Sequence, residues 1–329
     1  MKKRKILISI ILSALLIFVS FTPLTGRSLP GENAPELIIE VFSGTTPIIK
    51  AIQNAKESIH LEIYGFTHFG IAEELGNAEL RGVDVKVMME KSPVGADSEN
   101  WDVKAKLMHY GIPVKWANPE YLLTHAKFMV IDGKEAMVLT GNFTHSFVHK
   151  NREFGILVKD AAKVEAIKEI FEKDWNRETL TENSNPEIVL SPIDGREKII
   201  NLLNSATNSI DIWQQSVQDD EVIETLKTKI AEGVTVRIII PSLYRASGNS
   251  TAVGELGTNS IRSLLNPYIH AKLVIIDKKS TYIGSNNFTS TSLDQNRELG
   301  VIVDDPEILN TLNMLFEIEW KQTIDPYDS

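Results

Sequence analysis

His125-Ala126-Lys127-Phe128-Met129-Val130-Ile131-Asp132 and, 145 residues later, His270-Ala271-Lys272-Leu273-Val274-Ile275-Ile276-Asp277 are the same stretch written twice. The register holds onward: Asn142, Phe143, Thr144, Asn151, Arg152, Glu153, Gly155, Phe171 and Trp175 return as Asn287, Phe288, Thr289, Asn296, Arg297, Glu298, Gly300, Phe316 and Trp320. Toward the N-terminus the spacing becomes 151, carrying Glu36, Gly44, Ile48, Ile49, Ser58, Ile59, Gly82 and Val85 onto Glu187, Gly195, Ile199, Ile200, Ser209, Ile210, Gly233 and Val236. A constant register over this length is an internal duplication, and it decides the architecture. The extra six residues of the first copy fall between Val87 and His125, where the polar run Ser92 to Asp102 reads as a surface loop.

Each copy alternates helix and strand. In the first, Thr45 to Glu57 carries helical spacing, Ile59 to Phe66 reads as a strand, Ile71 to Leu80 as a helix and Val83 to Met89 as a strand. The strand Ala126 to Ile131, a short hydrophobic stretch Met137 to Leu139 and the strand Phe154 to Val158 follow. Ala162 to Trp175 is helical, with Val164, Ile167, Ile170 and Phe171 on one side. Strands interleaved with helices predict an α/β fold of two α/β/α sandwich modules, each with a central mixed sheet, related by a pseudo-two-fold axis. The linker-like Asn183 to Pro186 divides the chain into a first module over 31–182 and a second over 183–329.

The segment 1–30 stands apart. Lys2, Lys3, Arg4 and Lys5 precede an apolar stretch from Ile6 to Phe21, the pattern of a secretory signal peptide or, uncleaved, an N-terminal anchor. A secreted or cell-envelope location is therefore expected. The chain has no cysteine, which excludes disulfides, thiolate chemistry and cysteine metal sites. Its formal charge of -10 disfavours a protein that grips nucleic acid along its backbone.

The chemistry concentrates at the duplicated motif. Residues two apart on a strand share a face, so each histidine projects with its lysine, His125 with Lys127 and His270 with Lys272. A hydroxyl and an amide follow in each copy, Thr140 with Asn142 and Ser285 with Asn287, and then a carboxylate, Glu153 or Glu298, able to hold the neighbouring histidine in one tautomer. Lysines and asparagines suit a phosphodiester, whose oxyanions must be offset before a nucleophile can approach. One imidazole can attack phosphorus and a second can protonate the leaving alkoxide, so two copies supply both roles. Trp175 and Trp320 read as helix-to-sheet packing, and His145 and His149, matched by Ser290 and Asp294, as loop residues. His60, His68 and His109 have no partner at ligand spacing, and neither a metal nor another cofactor is expected.

The second copy, His270, Lys272, Asp277, Gly284, Ser285 and Asn287, carries the full pattern of the phospholipase D superfamily, and the chain resembles that family over essentially everything beyond residue 35. The first copy keeps His125, Lys127, Asp132 and Asn142 but has Leu139 and Thr140 in place of glycine and serine. The resemblance implies one composite active site between the modules, working through a phosphohistidine without a metal. It assigns His125 as nucleophile and His270 as general acid and base. Lys127, Lys272, Asn142 and Asn287, joined by Thr140 and Ser285, would bind the phosphate. Glu153 and Glu298 would orient the histidines, with Asp132 and Asp277 included in the catalytic set more as supports than as reactants.

Phospholipid cleavage or head-group exchange is the first expectation for substrate, acting as a monomer with peripheral membrane contact. An exported nuclease is the alternative by the same chemistry, and a non-catalytic envelope binding protein the alternative of another class. The loops Ser92 to Asp102 and Leu243 to Gly257 precede the motif strands, and they are expected to rim the site and set substrate choice.

Overall fold

Each repeat begins with an edge strand and ends with a long helix. The computed structural model describes residues 34–93 and 97–329, the side chains of 97–99 excepted. The first repeat runs β1 (Glu36–Glu40), α1 (Thr46–Asn54), β2 (Ser58–Ile63), α2 (Phe69–Leu80), β3 (Asp84–Met89), α3 (Asp97–His109), β4 (Val114–Trp116), β5 (Lys127–Ile131), β6 (Glu135–Leu139), α4 (His145–His149), β7 (Asn151–Val158) and α5 (Ala161–Asn176). The second runs β8 (Ile188–Ser191), α6 (Gly195–Asn204), β9 (Ser209–Gln214), α7 (Asp220–Ala231), β10 (Thr235–Ile240), α8 (Ser250–Leu256), β11 (Ile261–Ser263), β12 (Tyr268–Ile269), β13 (Lys272–Ile276), β14 (Ser280–Gly284), α9 (Ser290–Asp294), β15 (Glu298–Val303) and α10 (Pro306–Trp320). The predicted signal or anchor, 1–30, lies outside the described residues. No helix among those described is long and apolar enough to cross a membrane.

The two sheets share one topology. The order β1-β7-β6-β5-β2-β3-β4 is matched strand for strand by β8-β15-β14-β13-β9-β10-β11. Both sheets are mixed: β2 and β3 pair in parallel, while β5 is antiparallel to β2 and to β6. The central strands are buried on both faces, which explains their unbroken apolar runs such as Phe128-Met129-Val130-Ile131.

The repeats join through reciprocal contacts that repeat the pseudo-two-fold. β12, just ahead of His270, pairs in parallel with the start of β7, and the His270 amide donates to the Arg152 carbonyl at 3.2 Å. In mirror fashion the His125 amide donates to the Arg297 carbonyl at 2.8 Å. One core cluster spans both repeats and includes Phe128, Phe154, Phe171, Trp213, Leu273 and Phe316. Trp175 stacks on Phe171 and Trp320 on Phe316, as helix-to-sheet packing requires.

Three local expectations need correction. Much of the run Ser92 to Asp102 is not loop, because α3 begins at Asp97 and places Asn100 in the core, where its amide bonds the Phe66 N–H and the Tyr64 and Glu90 carbonyls. Leu243 to Gly257 likewise contains α8, with Asn249 bonding Val217 and Gln215 in the same way. His145 and His149 sit on α4, capped by the Thr144 hydroxyl, with their rings 4.5 Å apart.

Candidate active site

His125 and His270 each lie two residues ahead of a central-strand lysine, at the end of the sheet where β2 and β9 finish. Lys127 faces Ile63 in the β2 register and Lys272 faces Gln214 in that of β9. Both lysines are fully buried, and each ammonium donates to the carbonyl of its own histidine. The Lys272 ammonium also reaches the Gln215 amide oxygen at 3.0 Å. The equivalent position of the first repeat is Tyr64, whose ring lies edge-on to His125 at 4.7 Å and 5.2 Å from the Lys127 ammonium.

The carboxylates do not serve the histidine of their own repeat. Glu298 contacts His125 Nδ1 at 2.9 Å, and Glu153 contacts His270 Nδ1 at 2.6 Å. The expected neighbour pairing is therefore crossed. The reason is the reciprocal strand addition, which lays the segment before each histidine along the start of the other repeat's β7 or β15. A carboxylate on Nδ1 leaves Nε2 of each ring for the substrate.

Thr140 and Ser285 stand behind the carboxylates instead of on the phosphate. Both are buried; the Thr140 hydroxyl donates to Glu153 at 2.6 Å, and Ser285 bonds the Leu299 backbone next to Glu298. Glu298 receives further bonds from the Ser292 hydroxyl at 2.6 Å and the Asn296 amide at 3.2 Å. Asn142 and Asn287 are only partly buried. The Asn142 carbonyl oxygen accepts from the Gly65 N–H at 3.1 Å, which turns its amide nitrogen elsewhere, and Asn287 keeps a buried oxygen without a partner among the described residues.

Asp132 and Asp277 are remote from this chemistry. Each follows the last residue of its strand, roughly 16 Å along the chain from the lysine by the rise of a β-strand. Each adopts a left-handed turn conformation, with φ of 53° and 51°. The Asp132 carboxylate accepts from the backbone N–H groups of Lys56, Glu57 and Ser58, and Asp277 from those of Thr207, Asn208 and Ser209. They tie the turn to the start of β2 and β9, so their place in the catalytic set is not supported.

The departure at Leu139 is a packing exchange. Leu139 is buried against Gly155, whereas in the second repeat Tyr282 fills the space left bare by Gly284 and Gly300 and donates its hydroxyl to Asn286 at 2.7 Å. Met137 with Leu139 is thus replaced by Tyr282 with Gly284, and all four positions are buried.

Electrostatics favour neutral imidazoles. Burial pushes His125 down to about 4 against the pull of Glu298, with Lys127 adding to the depression. His270 is lowered for the same reason, opposed by Glu153 and aided by Lys272. Burial also brings Lys272 down to about 8 and Lys127 well below its ordinary value. Burial works against Glu153, yet His270, Lys272 and Thr140 hold it down to about 2. Among the described residues no three His, Cys, Asp or Glu side chains converge as a metal site.

Sequence reasoning missed Tyr64, Gln215 and Ser292. Tyr64 and Gln215 occupy equivalent positions but differ in type, so comparing the copies conceals them. Ser292 corresponds to Phe147 and carries no repeat signal. Only their places beside strand ends and the Asn-Arg-Glu segment hinted at a role.

The family described as "Cardiolipin synthase, PLD-like domain" matches residues 48–175 and 199–320. A cardiolipin synthase of Listeria monocytogenes is 24% identical over 343 residues, covering 88% of this chain and 70% of that protein. A probable cardiolipin synthase of Bacillus subtilis is 25% identical over 318 residues, covering 84% and 64%. Among solved structures, phosphatidylserine synthase of Haemophilus influenzae superposes with a TM-score of 0.67 at 15% identity, covering 91% of this chain and 89% of that one, a likeness of fold. Polyphosphate kinase of Porphyromonas gingivalis gives a TM-score of 0.69 at 17% identity, covering 87% and 50%. With both repeats matched across their motif strands and terminal helices, the chain belongs to the phospholipase D-like family that includes the cardiolipin synthases.

Proposed function

We propose that the protein is a phosphatidyl-transferring enzyme of phospholipase D type that exchanges the head group of a phospholipid without a metal, through a phosphohistidine. The observation that carries this reading is the crossed pair of buried His-Glu units facing two buried lysines. His125, the ring held down to about 4, is the nucleophile. Its Nε2 attacks phosphorus, the bond to the leaving head-group oxygen breaks, and His270 Nε2 gives that oxygen its proton. The acceptor hydroxyl then returns a proton to His270 as its oxygen attacks phosphorus and frees His125. Water in place of an alcohol gives hydrolysis by the same steps. Lys127 and Lys272 offset the phosphate charge, with Asn142 and Asn287 as polar partners. An incoming phosphodiester anion also favours the protonated form of His270, which burial alone disfavours.

Exchange is preferred over hydrolysis because the matched relatives are named as synthases. Export guided by the N-terminal stretch would bring the site to membrane lipids. The test is an assay of residues 31–329 in excess chelator for head-group exchange on mixed phospholipid vesicles, beside DNA cleavage. Lipid turnover lost in His125→Asn is expected; DNA cleavage without lipid turnover, or silence in both, refutes the reading.

A further inference from the structure

A pocket beside the catalytic residues but separate from them lies in the first repeat. It has a volume of about 440 Å³, within the range of small-ligand sites, and is lined by Glu90, Lys91, Trp116, Tyr121, Leu122 and Arg177 among others. Its wall leads directly to the reaction centre. Glu90 accepts the backbone N–H of Thr124, the residue before His125, at 2.8 Å. Tyr121 bonds the guanidinium of Arg297, the residue before Glu298.

The charge inside is positive in a chain that is acidic overall. Neither Lys91 nor Arg177 has a carboxylate partner among the described residues, and the Arg177 guanidinium reaches only the Trp116 carbonyl, at 3.3 Å. A third cation, Lys104, sits 4.1 Å from the centre of the Trp116 ring. Both oxygens of Glu90 are occupied by backbone N–H groups of Lys91, Ser92 and Thr124, which hold the carboxylate away from a direct ion pair; its charge offsets one of the two cations and leaves the lining net positive.

The second repeat is built differently at the corresponding place. There the chain beyond α10 turns back over the sheet edge: Ser263 and Ile324 exchange backbone bonds at 3.0 and 2.9 Å, Arg262 bonds Thr323, and the Leu243 amide donates to Ser329. Ser242 and Gln322 stand at the positions that correspond to Lys91 and Arg177. The asymmetry breaks the pseudo-two-fold at this place.

We propose that this pocket is an anion subsite in which Lys91 and Arg177 hold the phosphoester of a second molecule beside the one being cleaved, with Trp116 and Tyr121 against its organic part. The inference rests on the reading of the centre as one that handles phosphoesters. A neighbouring lipid head group and a soluble ester both carry such a phosphoester, and the aromatic and cationic walls suit both. Two measurements separate them: calorimetry with glycerol 3-phosphate, and co-sedimentation with phosphatidylglycerol–phosphatidylcholine vesicles against pure phosphatidylcholine.

For glycerol 3-phosphate the protein should show two sites, one of which weakens at least tenfold in Lys91→Gln/Arg177→Gln while the other, in the catalytic cradle, is unchanged. A tenfold loss of preference for the anionic vesicles in the same variant, with a single variant-insensitive site in calorimetry, supports the subsite with lipid as its source. Unchanged binding in both measurements overturns it. Both side chains are exposed, and matching thermal unfolding of variant and wild type guards against misfolding. Failure of the catalytic reading would instead appear as loss of the variant-insensitive site, so the two failures are distinguishable.

Discussion

At the scale of the residue, the site turns on protonation. Both imidazoles are held neutral by burial and by the lysines beside them, while the carboxylates behind them stay ionised. Activity should therefore follow a bell. The acid limb appears as His125 gains a proton toward pH 4, and the alkaline limb as His270 loses the proton it needs and Lys272 discharges near 8. A pH–rate profile of head-group exchange checks this, and a monotonic curve counts against paired roles. Stability follows the same groups. Histidines whose folded pKa lies below the unfolded value destabilise the fold as pH falls from about 6.5, because only the unfolded chain takes up the proton. The unfolding temperature should thus drop below pH 6.5, and less steeply in His125→Asn.

At the scale of the element, the duplicated motif separates into a chemical end and a structural end of the same strand. Asp132→Ala removes an acceptor of three backbone N–H groups and should cost about 2 kcal/mol in urea unfolding while kcat stays within a few-fold of wild type. A loss of turnover with unchanged stability would return Asp132 to the catalytic set. Leu139→Gly opens a cavity against Gly155 and should cost about 3 kcal/mol with KM unaltered, since the leucine faces the core. Strand and helix positions were legible in the sequence because apolar spacing dictates them. The boundaries drifted where caps decide, as at Ala161, whose helix starts at the Asp160 side chain. α3 was hidden because its helical character lies in Val103 and Leu107 alone, behind a polar first turn.

At the scale of the whole molecule, the repeat made the architecture and the histidines, lysines and glutamates readable, because two copies in register reveal what one cannot. The crossing was not readable. Sequence order places Glu153 closest to His125, and only the addition of β12 to β7, with its mirror at Thr124 and Arg297, brings it to His270. The same blindness covers Tyr64 and Gln215, where the repeats diverge, and the pocket at Lys91, beside which the two repeats end differently. Each histidine takes its carboxylate from the other repeat, so each His–Glu pair needs both.

The central claim, one centre with divided labour between the repeats, is tested by trapping the intermediate. The enzyme is mixed with phospholipid vesicles, quenched rapidly, and its peptides are analysed by mass spectrometry for phosphorylated histidine in wild type, His125→Asn and His270→Asn. An adduct on His125 that is kept in His270→Asn while turnover falls at least a thousandfold, and that is absent in His125→Asn, is the predicted result. Equal labelling of both histidines, or turnover surviving in either single variant, would contradict the account.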